Sequence, residues 1–293
     1  SMDFATFLIQ CLNAMQYGLL LFLVASGLTL IFGIMGVINL AHGSFYMIGA
    51  YMAYGLAPVV GAAFGGEFFS TMVAGLVLSV ILGYVLEWAF FSYLYTREHL
   101  QQVLMTYGLI LVFEELRSLI VGDDVHGVTV PEFLNGTLPL NDVMTYPIYR
   151  LFISGVCLLL AIGMWFIFTR TRLGMMIRAG TNNREMVQSL GIDITLLYRI
   201  VFALGVALAV FAGMIAAPVS SVYPNMGNAV LIICFVVVVI GGIGSIKGAL
   251  VAALLIGIVD TFGKVLVPQA AGVLVYVLMA LILLWRPNGL FKD

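Results

Sequence analysis

Few side chains in this sequence could carry acid–base or ion-transfer chemistry, and several of those lie inside long apolar stretches. Glu87 has no oppositely charged residue near it in the sequence, so it either meets another helix or faces a cavity. Glu114 and Arg117 are three residues apart and Asp260 and Lys264 four apart, spacings at which helical side chains can form an ion pair. We therefore expect structural pairing for these two pairs, and Glu87 and Glu114 are candidate polar residues within apolar helices.

His42 and Asn39 form a second polar group, inside the first apolar stretch. A buried histidine could relay protons, and Asn39-Leu40-Ala41 could belong to an aquaporin-like pore. An aquaporin box needs a proline and a second copy later in the chain, and the sequence has neither. We favour hydrogen bonds from Asn39 and His42 to unwound backbone, which would fix a break between two helices.

Enzymatic chemistry finds little support. The apolar stretches contain no serine–histidine pair, paired aspartates or cluster of metal ligands, and no G-x-x-x-x-G-K-[ST] phosphate loop occurs anywhere. Cys11, Cys157 and Cys234 lie in apolar runs, where cysteine behaves as a small hydrophobic residue. We expect no catalytic residue, metal or cofactor in this chain.

The amino-acid composition indicates which kind of secondary structure holds these residues in place. Of 293 residues, 9% are charged and 63% hydrophobic, and the mean hydropathy is +1.15. No Asp, Glu, Lys or Arg occurs between Asp3 and Glu67 or between Arg199 and Lys247. Since about 20 apolar residues span a bilayer as a helix, each run holds more than one crossing. The sequence predicts an all-α polytopic membrane protein, a single transmembrane domain over 1–293, and no nucleic-acid partner.

Apolar segments between polar breaks predict about nine transmembrane helices, with a range of eight to ten. Some of them are short or interrupted. The predicted segments are 5–32, 43–61, 69–95, 99–121, 147–169, 195–217, 228–241, 247–266 and 270–285.

Loop charges predict the orientation. The segment 170–199 holds five of the twelve basic residues, and Arg286 and Lys292 lie at the C-terminal end, so both regions should be cytoplasmic. The loop 122–146 carries four acidic residues, Asp142 among them, and no Lys or Arg, and its prolines forbid a regular helix, so it should be external. These anchors place the N-terminus outside and the C-terminus in the cytoplasm.

Two glycine-rich breaks interrupt the apolar pattern. Unwound backbone within a membrane is tolerated where it lines a cavity or is buried in protein, so paired breaks can mark a transport pathway. Close helix packing through small residues and a plain cytoplasmic turn remain equally open. The candidate pathway or helix-break residues are Gly33, Gly36, Asn39, His42, Gly43 and Ser44 in the first break and Gly241, Gly242, Gly244 and Ser245 in the second.

The arginine-rich segment 170–194 is the most distinctive stretch. Met186, Val187, Leu190 and Ile194 recur at helical spacing, and they predict one short helix. Asn182 or Asn183 would cap its start, Glu185 would lie in its first turn and Gly191 would end it. So short a helix needs a partner surface, which is either another subunit or the headgroup layer of the membrane, with arginines touching lipid phosphates.

The segment from Arg178-Ala179 through Glu185 to Gly191 resembles the coupling loop of permeases of ATP-binding-cassette importers, with Met186 and Val187 where that loop has alanines. Three further stretches resemble permeases of the branched-chain amino-acid importer family. They are G-I-M-G-V-I-N-L-A-H-G-S-F from Gly33 to Phe45, V-I-G-G-I-G-S-I-K-G-A from Val239 to Ala249, and R-P-N-G-L-F from Arg286 to Phe291.

The resemblance implies a permease subunit in the bacterial inner membrane. Its implied partners are a second permease, two cytoplasmic ATPase subunits that bind the ATP, and an extracytoplasmic solute-binding protein. Arg178, Ala179, Glu185, Met186 and Gly191 would then contact an ATPase. Branched-chain amino acids are the first expectation for the solute, with urea, short amides and aromatic acids open, and a stand-alone channel or secondary transporter is the competing class.

Overall fold

The computed structural model describes residues 3–65, 67–140 and 144–291, so Asp142 and Lys292 lie outside the described residues. The chain is predominantly helical, with one short antiparallel hairpin. Its helices and strands are α1 Phe4–Met35, α2 His42–Gly55, α3 Ala57–Phe64, α4 Glu67–Ala89, α5 His99–Val121, β1 Thr137–Pro139, β2 Thr145–Pro147, α6 Ile148–Arg170, α7 Arg172–Asn182, α8 Arg184–Ser189, α9 Ile194–Ser220, α10 Met226–Gly241, α11 Ile246–Leu266 and α12 Ala271–Trp285.

A helix forms at each of the nine predicted apolar segments. Among the described residues, five helices are long and apolar enough to cross a membrane, namely α1, α6, α9, α11 and the helix that continues α4, and the pair α2–α3, bent by 52°, could make a sixth. The all-α polytopic prediction is confirmed. The count of nine spans and the orientation of the termini remain predictions.

Helices α1 and α9 form the centre of the bundle. Most of the apolar part of each is buried, and α11 and α2 pack closely on them, as does α4 on α9. The apolar faces of α4, α6 and α12 are largely exposed, as expected for surfaces that meet lipid. Small residues permit the closest approaches: a Cβ on Gly227 would lie 2.6 Å from the carbonyl oxygen of Gly43, where α10 crosses α2.

The connection from α1 to α2 re-enters the bundle. Gly36 ends α1 with φ +69°, and α2 begins at His42, whose Nε2 lies 2.8 Å from the carbonyl oxygen of Val24. Val24 is three turns before the end of α1, so the chain returns by about 16 Å at 1.5 Å per residue. Six extended residues reach roughly 20 Å, which is sufficient. The first break is therefore unwound backbone inside the bundle.

The two ends of the bundle have different structures. We call one end, with the hairpin β1–β2 and the segment 122–136, the loop end; a bridge between His126 and Val222 ties it to the turn after α9. We call the other end, with α7, α8 and the residues after α12, the coupling end. The described part of the predicted external loop contains no α-helix, as its prolines require.

Candidate functional site

The two glycine-rich breaks meet at the coupling end. The amide of Gly244 donates to the Thr29 hydroxyl of α1 at 2.7 Å, and a Cβ on Gly244 would lie 3.5 Å from Cα of Gly33. Gly242 and Gly244 have φ of +100° and +86°, which only glycine adopts without strain. Ser245 then caps α11 by accepting from the amide of Gly248. The breaks predicted separately are thus parts of one assembly.

The C-terminal stretch packs on the same assembly. The amide of Leu290 donates to the carbonyl of Ile240 at 2.8 Å, and that of Phe291 to the carbonyl of Gly241 at 3.3 Å. The ammonium of Lys247 lies 5.2 Å from the centre of the Phe291 ring. Three stretches far apart in the sequence therefore meet at one end of the bundle.

Asn39 and His42 are both fully buried. Asn39 Oδ1 accepts from the amide of Ala41 at 3.0 Å, in the unwound segment, as the helix-break interpretation requires. His42 differs, because its bond goes to the Val24 carbonyl inside α1 and not to unwound backbone. Asn39 Nδ2 and His42 Nδ1 have no hydrogen-bond partner within the described ranges. Gly43 and Ser44 follow in the first turn of α2, where Gly43 packs against Gly227 and Leu231 of α10.

The arginine-rich segment forms two helices, where the sequence predicted one. The second, α8, agrees with the prediction: Asn183 caps it by accepting from the amide of Met186 at 3.0 Å, and Gly191 follows it with φ +88°. Val187 is buried, whereas Met186 is 55% and Leu190 72% exposed. The prediction missed α7, although Leu173, Met176 and Ile177 have the i, i+3, i+4 spacing of an amphipathic helix.

The other residues assigned to the coupling segment lie on α7 and α8. The side chains of Arg178 and Glu185 are exposed, while Ala179 is half-buried and its carbonyl accepts from the Asn183 amide at 2.9 Å. The exposed surface formed by Arg178, Glu185, Met186 and Leu190, which we call the coupling face, combines charge with apolar area. The part of the chain that the structure describes leaves this face uncovered.

Arg184 was not among the predicted site residues. Its Nη1 donates to the carbonyl of Met35 at 3.0 Å and to the hydroxyl of Tyr198 at 3.2 Å. A cation at the C-terminal end of a helix is stabilised by the helix dipole and by the free carbonyls there. Arg184 therefore connects α8 directly to the end of α1 and to α9. Its partner Met35 is 149 positions away in the sequence, so no local pattern could reveal this contact.

Glu87 meets another helix, which was one of its two predicted alternatives. Its side chain is 0% exposed and pairs with Nε of Arg199 at 2.8 Å. The Tyr95 hydroxyl donates to its other oxygen at 2.7 Å, and the Arg199 guanidinium lies 5.4 Å from the Tyr84 ring. The cluster joins α4 and the start of α9 at the coupling end.

The remaining charged pairs form as predicted. Glu114 lies 3.2 Å from Arg117, which also binds Asp123. Asp260 and Lys264 are 3.0 Å apart. The contacts of Glu114 are structural ones at the loop end.

A cavity of about 350 Å³ opens between α1, α2, α6, α9 and α11 towards the loop end. Gln16, Tyr17, Arg150 and Asp260 are among the residues that line it. Of its lining residues, only the Asp260–Lys264 pair was predicted from the sequence. Gln10, Asn13 and Gln16 recur three residues apart on α1, a spacing that places them on one side of the helix, and the fold brings that side opposite α6 and α11.

Over most of its length the chain is similar to known membrane permeases. The family described as branched-chain amino acid transport system / permease component matches residues 10–284. The high-affinity branched-chain amino acid transport system permease protein BraD of Pseudomonas aeruginosa is 29% identical, over 97% of this chain and 95% of its own length. LivH of Escherichia coli is 27% identical over 99% and 97%, and a probable LivH of Methanocaldococcus jannaschii 30% identical over 95% and 90%. One chain of PsaBC from Streptococcus pneumoniae in complex with Fab aligns over 93% of this chain and 89% of its own, at TM-score 0.43 and 13% identity.

Proposed function

Because this chain belongs to the family of branched-chain amino-acid transport permeases, we propose that it is the membrane subunit that carries branched-chain amino acids through an ATP-driven importer. The relatives named above are permeases of such amino acids. The proposal places the protein in the inner membrane of a bacterium, with the loop end outside and the coupling end in the cytoplasm. All nine apolar helical segments would then lie within the membrane.

The coupling face is the structural observation that best supports this proposal. A charged and apolar surface on two short helices is suited to a protein partner, because isolated short helices gain little stability in water. We assign this face to one of two cytoplasmic ATPase subunits, which bind and hydrolyse the ATP. The chain itself would need no cofactor.

Through the contacts of α8, a movement of the ATPase subunit would reach the transport pathway. An ATPase that moves α8 also moves Arg184, and through it the C-terminal end of α1 and the start of α9. The glycine breaks lie beside that end of α1, so the displacement reaches the unwound backbone around Asn39 and His42. Such a rigid-body shift would alternate the pathway between inward-open and outward-open states.

The remaining partners belong to the same proposal. A second permease would complete the pathway, and a solute-binding protein would deliver the amino acid at the loop end. Lipid contacts the exposed apolar faces of α4, α6 and α12. A stand-alone channel or secondary transporter would leave the coupling face without a partner, and the importer is therefore favoured. Urea, short amides and aromatic acids are the alternative solutes.

Reversal of charge at Glu185 tests the coupling face. Glu185→Arg should prevent an ATPase subunit from co-purifying with this chain in mild detergent, because the substitution places a cation on the docking surface. Glu132→Arg, an equally exposed position at the loop end, is the matched control and should leave the yield unchanged. Full ATPase recovery with Glu185→Arg would contradict the assignment.

Reconstitution tests the class of transporter. Leucine uptake into proteoliposomes should require ATP, the ATPase subunits and a binding protein. Leucine flux through this chain alone, without ATP, would replace the importer by a channel or secondary transporter.

A further inference from the structure

We propose that the loop-end cavity is a binding site for the zwitterionic head of an amino acid, with Arg150 receiving the carboxylate and Asp260 the ammonium. The inference rests on the proposed import function and adds a site within the permease itself. It concerns a different end of the bundle from the coupling face, and it can be tested separately.

Several polar side chains that make no hydrogen bond to any described residue line the cavity. Gln16 is only 5% exposed, yet its side-chain amide has no hydrogen-bond partner among the described residues, and it lines the cavity. Gln10, Tyr17 and Thr261 also line it, and their side chains likewise make no hydrogen bond to any described residue. Gln16 is buried, and Gln10, Tyr17 and Thr261 are partly buried, so the cavity presents polar groups that a polar ligand or water can satisfy.

The charges in the cavity have both signs. Arg150 is bound to neutral groups: its Nη1 donates to Asn13 Oδ1 at 3.2 Å, and its guanidinium also interacts with the Tyr146 hydroxyl. The Tyr146 hydroxyl donates to the same oxygen at 2.8 Å, so the position of Asn13 is fixed from two sides. The guanidinium therefore keeps donors for a carboxylate, which Arg binds in a bidentate manner.

Asp260 supplies the opposite charge. Its carboxylate is largely buried, and its pairing residue Lys264 has a side chain that is 67% exposed. Because the ammonium of Lys264 is solvated, it can leave the carboxylate for water when a ligand ammonium arrives. The Asp260–Lys264 pair thus keeps the site neutralised while it is empty.

The rest of the wall is mainly apolar. It consists of Leu20, Ala216, Val219 and Val265 together with Tyr46 and Ser220, and the volume of about 350 Å³ is in the range of small-molecule sites. A space with both charges and an apolar wall matches an amino acid with an apolar side chain. Urea and neutral amides would leave the two charges without counterparts.

Cysteine protection in the assembled importer tests the site. Thr261→Cys in a Cys11→Ser background places a reporter on the cavity wall, since Cys157 and Cys234 are fully buried. A membrane-impermeant thiol reagent labels it from the loop-end side in membrane vesicles. L-leucine should slow the labelling in a saturable way. Leucinamide, which lacks the carboxylate, and 4-methylpentanoate, which lacks the ammonium, should protect at least about tenfold less well.

Two variants separate a binding role from a structural one. Arg150→Gln should weaken protection by leucine to the level of leucinamide, while protection by leucinamide itself stays as before. Asp260→Asn should do the same relative to 4-methylpentanoate. Arg150→Lys should restore part of the leucine effect, and Glu132→Gln, outside the cavity, should change nothing.

The outcomes distinguish this proposal from the proposed function. Equal protection by leucine and both analogues, or none by leucine, would overturn the cavity site even where ATP-dependent leucine uptake is intact. If Arg150→Gln and Asp260→Asn both lose protection by leucine and by the two analogues alike, Arg150 and Asp260 only hold the helices together, and the proposed site is also overturned. Absent uptake combined with selective protection would leave the site in place and refute the importer.

Discussion

Replacement of Glu87 should destabilise the protein strongly, because a buried ion pair is broken. Glu87→Met keeps the volume of the side chain but removes both acceptors, so the Tyr95 hydroxyl loses its partner and Arg199 loses its carboxylate but keeps the contact with Tyr84. Breaking a buried pair costs about 3–5 kcal/mol, and we take about 3 because Arg199 retains some solvent. At roughly 2–4 °C per kcal/mol, the thermal unfolding midpoint in detergent should fall by about 6–12 °C.

A double-mutant cycle shows whether the pair is the cause. Arg199→Met alone should cost at least as much, since it leaves a fully buried carboxylate without its cation. The combined Glu87→Met and Arg199→Met variant should recover at least about 2 kcal/mol of the summed loss. Glu98→Met, at an exposed glutamate, should shift the midpoint by less than about 2 °C. Additive losses in the cycle, or a Glu87→Met midpoint equal to that of Glu98→Met, would refute the reasoning.

Three further outcomes are expected. Gly241→Ala should abolish leucine uptake, because its Cβ would lie 2.8 Å from the Ala249 amide nitrogen. Gly108→Ala, whose Cβ would have no atom within 4 Å, is the control and should retain uptake. Normal uptake in both variants would show that Gly241 serves only for packing. Arg184→Met should keep the ATPase bound but uncouple it, measured as ATP hydrolysis per leucine transported; an unchanged ratio would show that Arg184 does not transmit the movement of the ATPase. Asn135→Cys in a Cys11→Ser background should react with an impermeant thiol reagent in intact cells, and reaction only after permeabilisation would reverse the orientation.

The helices could be predicted from sequence because their signal is local. Long runs without charge, polar breaks and caps such as Asn183 depend on neighbours in the chain. Spacing also predicted the Asp260–Lys264 and Glu114–Arg117 pairs, since helical geometry fixes positions three and four residues apart.

The contacts of the candidate sites could not be predicted, because they join distant segments. The partners of Glu87 and Arg184 lie on other helices, and neither contact has a periodic signature. The cavity at the loop end is a further case: Gln16 and Arg150 are ordinary polar residues until α1 and α6 are placed side by side. The helix α7 had a local signal that the prediction did not use, namely the amphipathic spacing of Leu173, Met176 and Ile177.

The re-entrant start of α2 has a consequence for how the protein is made. This helix packs mainly on α9 and α10, which begin at Ile194 and Met226 and leave the ribosome long after α2 itself. Until then Asn39 and His42 lack the cover that α9 and α10 provide, and exposure of polar groups to lipid is costly. The nascent chain therefore has to keep α2 at the insertion machinery or shield it in a provisional position. The second helix to be synthesised is among the last to reach its final neighbours.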